Sequence, residues 1–185
     1  AVLIVIWVGY NLSQSPAPAG VVKIGFLAPL TGDAASYGES IKRGVDLAKK
    51  EMALPNLEVI YEDSQCDGKT AVSALSKLIN VDGVVAVIGE ACSGATLAAA
   101  PLAEKNQVVM ISPASTSPNI TQAGDYIFRV VPSDALQGDL GAKLVNKKGF
   151  KRLAVLYSNE EYGLGFEQVL KKSFVSLGGQ IVASE

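Results

Sequence analysis

The 185-residue chain contains no histidine, so the residues present cannot build Ser-His-Asp or Cys-His catalysis and lack the commonest zinc ligand. Charge bias is also missing: 16 Lys and Arg stand against 18 Asp and Glu, a net charge of −2, with no block of like sign. The basic footprint of a nucleic-acid binder is therefore absent. Cysteine occurs twice, at Cys66 and Cys92, without the C-x-x-C spacing of a redox or zinc motif. The N-terminal apolar run AVLIVIWVGY is far shorter than the roughly 20 residues that span a bilayer.

That run is followed by NLSQSPAPAG, rich in Ser, Pro and Ala, with Ala17-Pro18-Ala19 as an imperfect small-residue cleavage site. Residues 1–20 are read as the remnant of a signal peptide or membrane anchor plus linker. The alternative is a first strand joined to the core.

From Val22 onward, strand-length apolar runs alternate with segments of helical period, which predicts an α/β fold: an open parallel sheet with helices on both faces. VKIGFLA, LEVIYED, VVAVIG, VVMIS and YIFRV read as strands before Pro132, and RLAVLY and GGQIVASE after it. Ser36 to Met52 has helical period, and a later helix carries Leu136, Leu140 and Leu144 on one face. Pro101 falls inside a predicted helix, where it costs a hydrogen bond. Five strands followed by two suggest a first lobe over residues 21–131 and the incomplete beginning of a second over 132–185.

In open parallel sheets, ligands bind outside the carboxyl ends of the strands. One such end is GEACSGAT, residues 89–96, which matches the phosphate-loop pattern at Gly89, Gly94 and Thr96 but has Ala95 where the lysine belongs. Without that lysine a nucleotide is a poor fit. A helix N-terminus with the Ser93 and Thr96 hydroxyls suits a single carboxylate, unless Ser93 merely caps its own helix. The next strand ends in SPASTSPNIT, which adds Ser112, Ser115 and Thr116 and a backbone kept irregular by Pro113 and Pro118. Such a loop can offer donors to a carboxylate and a carbonyl to an ammonium; the plain alternative is a turn and a short helix.

Cys66 and Cys92 end neighbouring strand regions, so in an exported chain a disulfide is expected, with a reactive or metal-binding Cys92 as the other option. Tyr37 and Tyr162 each precede glycine in such a loop, where a ring can close over a small ligand or pack beneath the loop.

VKIGFLAPLTGDAASYGESIKRGVDLA, YEDSQCDGKTA, VVAVIGEACSGAT, ISPASTSPNIT, YIFRVVPSDALQG and SNEEYGLGF, in that order and spacing, resemble the periplasmic leucine/isoleucine/valine-binding proteins of ABC transporters. The resemblance runs from about Val22 to the last residue and covers about the first half of such a protein. It implies a truncated type I periplasmic binding fold whose two lobes close around an amino acid. Ser93 and Thr116, with Ser115 in the same loop, would bind the ligand carboxylate; the Ala114 carbonyl would accept its ammonium. Tyr37 and Tyr162 would approach the ligand from the two lobes, and Cys66 and Cys92 fall on the family's disulfide positions. The expectation is a monomeric, non-enzymatic, extracytoplasmic solute-binding protein for an aliphatic amino acid that delivers to a membrane permease. It needs no cofactor or metal and binds no nucleic acid. A sensor ectodomain of the same fold, or a binder of an amide or urea, is the alternative.

Overall fold

A computed structural model describes residues 20–185; the N-terminal segment and its cleavage region lie outside them. Seven strands and five α-helices alternate: β1 (Val22–Ala28), α1 (Ala35–Met52), β2 (Leu57–Asp63), α2 (Gly68–Lys77), β3 (Ala86–Gly89), α3 (Ser93–Asn106), β4 (Val109–Ser112), β5 (Ile127–Arg129), α4 (Asp134–Lys147), β6 (Arg152–Val155), α5 (Glu161–Ser176) and β7 (Gln180–Ser184). A π-turn, Leu78–Asp82, extends α2, and a 3₁₀ turn, Pro118–Gln122, precedes β5. The first five strands form a parallel sheet in the order β2-β1-β3-β4-β5, and β6 pairs with β7 in a second, parallel pair.

The strand registers sort side chains onto two faces. Ile60, Gly25, Val87, Met110 and Ile127 lie in one row across the sheet, and α2 and α3 cover that row with Ala71, Leu75, Ala99 and Ala103, all fully buried. Alanine at these helix positions lets backbone approach sheet closely, which suits close-packed interiors. The opposite row, Tyr61, Phe26, Ile88, Ile111 and Phe128, is covered by α1 over β1 and β2 only. Ile111 and Phe128 at the other end stay partly exposed.

Two helices pack in ways that their periodicity does not show. The leucines of α4 do share a face, but Leu136, Leu140 and Leu144 are each more than half exposed. The helix packs instead through Gly138 and Ala142, the glycine leaving room for Val169 of α5. Pro101 is accommodated within α3 because it lies on the exposed side, where the carbonyl it leaves unpaired can reach water.

Sheet order decides where a ligand can sit. The chain leaves β1 toward β2 on one side and returns to β3 on the other, so the loops after β1 and β3 diverge at the switch point and open a crevice.

Candidate ligand-binding cleft

The crevice is a cleft of about 390 Å³ lined by Ala34, Tyr37, Cys66, Ala91, Cys92, Ser93, Ala114, Glu160 and Tyr162. Strand ends β1 to β4 thus contribute to it, and the turn after β6 closes it from the other side. Tyr37 and Tyr162 are 68% and 44% exposed, so neither ring packs beneath its own loop.

The wall formed by the β1 loop is held by Asp63. Its carboxylate accepts from the Leu30 and Gln65 backbone N–H groups at 2.8 and 2.9 Å, and from the Thr31 hydroxyl. Burial pushes this carboxyl up, but the Thr31 hydroxyl and the backbone donors outweigh it and keep the group below the usual aspartate range.

The floor is the start of α3. Cys92 is the N-cap residue and Ser93 the first helical residue, so the cap lies one position earlier than the Ser93 cap expected from sequence. The difference has a chemical consequence. The Ser93 hydroxyl does not cap α3 but accepts from the Ser117 backbone N–H at 3.2 Å, and among the described residues nothing takes its own hydrogen. That O–H, with the first-turn N–H groups that have no helical partner, faces the cleft as donors.

Behind the floor the hydroxyls serve the protein itself. The Glu90 carbonyl accepts from Thr96 at 3.2 Å, from Ser115 at 3.1 Å and from Ser112. Thr96 and Ser115 hydroxyls also touch each other at 2.6 Å. Ser115 is fully buried, and its N–H is bound to the Ser112 hydroxyl at 2.9 Å. Through these bonds Ser115 joins the β3 and β4 loops behind the cleft lining.

Ala114 lines the cleft, whereas Thr116 is partly buried beside it. The Thr116 carbonyl accepts from Asp134 N–H at 2.9 Å and from the Arg129 guanidinium at 3.2 Å. Cys66 and Cys92 form a disulfide with Cα atoms 5.5 Å apart, tying the β2 end to the floor.

Three carboxylates escaped the sequence reading. Glu160 is, among the described residues, the one charged residue of the cleft lining; it caps α5 by accepting from the Tyr162 and Gly163 N–H groups, both at 3.0 Å. Its signal was present in SNEEYG, an acid placed to cap a helix. Asp134 is fully buried at the start of α4, and among the described residues no donor meets full hydrogen-bond geometry at either side-chain oxygen. Burial pushes its carboxyl up, against the pull of the Thr116 side chain and Arg129. Glu90 is fully buried as well. Among the described residues no group of acids and cysteines could hold a metal ion.

Residues 21–185 match the family model described as periplasmic binding protein. The leucine-, isoleucine-, valine-, threonine- and alanine-binding protein of Pseudomonas aeruginosa is 33% identical over 175 residues, covering 90% of this chain and 47% of that protein. A leucine-binding protein from Thermotoga maritima superposes with a TM-score of 0.83 at 33% identity, over 88% of this chain and 48% of the other. A solute-binding protein of an ABC transporter from Rhodopseudomonas palustris, in complex with 3,4-dihydroxybenzoic acid, gives 0.82 at 30% identity, over 88% and 46%. The chain spans about half the length of the relatives it matches. A family of binding proteins, not of enzymes, accounts for a cleft whose donors are all uncharged, and the chain belongs to the periplasmic binding protein family.

Proposed function

We propose that this chain is the part of an extracytoplasmic solute-binding protein of an ABC transporter that holds the head group of an aliphatic amino acid. The observation that carries the reading is the pairing, in one cleft at the sheet's switch point, of the free Ser93 hydroxyl and α3 N-terminus with the Ala114 loop. A zwitterion needs donors at one pole and acceptors at the other without net charge, and this arrangement supplies them. Ser93 and Thr116 bind the carboxylate, the Ala114 carbonyl accepts from the ammonium, and Tyr37 and Tyr162 close over the side chain from the lobes 21–131 and 132–185. Contacts made only in the closed form shift the open-closed equilibrium, and a permease reads the closed form.

A carboxylate-only aromatic ligand is the second reading, favoured by the two tyrosines and by the dihydroxybenzoate held by one relative. Glu160 weighs against it. Among the described residues the one charged group lining the cleft is this acid, which repels a simple anion and attracts an ammonium.

Titration calorimetry of the full-length protein with leucine, valine, alanine and 3,4-dihydroxybenzoate separates the readings; heat with none of the four removes both. Ser93→Ala and Thr116→Ala each weaken leucine binding by about 1–3 kcal/mol, the scale of a charge-assisted hydrogen bond. An unchanged dissociation constant takes the substituted residue out of the site.

A further inference from the structure

Glu90 is a carboxylate with no exposure, the first residue after β3 ends at Gly89 and directly before the cleft floor. One side-chain oxygen accepts from Ser64, itself fully buried at the end of β2; the other accepts from the Cys92 N–H at 2.5 Å. Its carbonyl gathers the Thr96, Ser112 and Ser115 hydroxyls. The residue is thus a knot joining the ends of β2, β3 and β4 immediately behind the Ser93 donors.

A negative charge there opposes what the floor is built to do. The N–H that Glu90 holds belongs to the residue before Ser93, so an anion at Ser93 and an ionised Glu90 would face each other across one turn of backbone. Water does not reach Glu90 to screen the pair. Among the described residues no Lys or Arg nitrogen forms an ion pair with its carboxylate within 4.0 Å, and the Asp63 carboxylate acts on it with the same sign. Burial, the largest influence, pushes its carboxyl above the usual glutamate range, against the Ser64, Cys92 and Ala91 donors.

Ser64 makes both protonation states viable without rearrangement. A hydroxyl donates to a carboxylate and accepts from a carboxylic acid, while the other oxygen keeps the Cys92 N–H in either state.

We propose that Glu90 is a proton-linked positioning residue of the cleft, which takes up a proton when a carboxylate binds at Ser93, so that affinity for carboxylate ligands rises as pH falls. This rests on the solute-binding reading above. One proton per ligand sets the limit of a tenfold change in dissociation constant per pH unit.

The test has one arm without ligand and one with it, both comparing the full-length protein with Glu90→Gln. Glutamine keeps the Cys92 N–H and donates to Ser64, so it copies the protonated acid. In the ligand-free arm, the wild-type melting temperature falls relative to the variant as pH rises from 5 to 8, because a carboxyl raised by folding loses its stabilising proton on the alkaline side. Parallel curves overturn the proposal whatever the protein binds. In the second arm, leucine, whose own charges are constant over this range, binds wild type at least about fivefold more tightly at pH 5.5 than at pH 8, while the variant is flat and matches the acid value. Leucine affinity that is equally flat in wild type overturns the coupling. No binding of leucine or 3,4-dihydroxybenzoate at any pH, with diverging melting curves, overturns the solute-binding reading and the coupling with it, and leaves the buried proton established.

Discussion

Replacing Cys66 and Cys92 with serine lowers stability by about 3 kcal/mol on the chain-entropy estimate for a loop of this length, a fall in melting temperature of roughly 6–12 °C for a chain of this size. The bridge closes a separation of 26 residues between β2 and the start of α3. Its removal frees the unfolded chain, and it also releases a turn in which Gln65 and Cys66 both adopt left-handed backbone angles, φ 54° and 59°. Non-glycine residues hold such angles only where neighbours over-determine them. Here the Asp63 carboxylate and the Ser64 hydroxyl take the N–H groups of Gln65 and Cys66 at 2.9 and 3.3 Å, and the disulfide fixes the far end. Thermal melts of wild type with and without dithiothreitol, beside the double serine variant, check this. Reductant and substitution should agree, and a wild-type melt indifferent to reductant would sink the prediction.

The alternation of strands and helices was legible because its cause is local. A parallel strand inside the sheet is an apolar run, and VKIGFLA, apolar except for Lys23, is one whose limits, Val22–Ala28, coincide with the strand. The cleft was legible through the same logic, since strand ends define it and Tyr37, Ser93, Ala114 and Tyr162 all lie at such ends. What escaped depends on contacts between loops. Ser112, Ser115 and Thr116 look alike in a sequence, yet two of the three hydroxyls turn to the Glu90 carbonyl, more than 20 residues earlier. Glu90 itself reads as an ordinary polar residue ending a strand. Its burial follows only when Ser64, 26 residues before it, is brought alongside. The α4 leucines mislead for the opposite reason: periodicity identifies a face but not which side of the helix has a partner, and Gly138 supplies the contact because α5 needs space.

Gly89→Ala is expected to cost about 2–6 kcal/mol, combining roughly 1–3 for a glycine-only backbone angle with roughly 1–3 for an overpacked core. Gly89 ends β3 at φ 146°, and a Cβ there would stand 2.1 Å from the carbonyl oxygen of Leu27. Leu27 is its register partner in β1, fully buried in the middle of the sheet. No flexible side chain can yield, so strand must move from strand. The displaced segment carries Glu90, Cys92 and Ser93 with it, so loss of stability and loss of leucine affinity should appear together. Against a typical total of about 5–15 kcal/mol, such a cost removes a large share of the folded state's margin. Urea denaturation reads it as a lower midpoint with the slope retained. Gly44→Ala is the control: it lies within α1 with nothing within 4 Å of the added carbon, and alanine there should stabilise by up to about 1 kcal/mol. A Gly89→Ala midpoint equal to wild type, beside a Gly44→Ala midpoint that rises, would mean that β1 and β3 are not locked in this register and that the cleft floor is not held by the sheet.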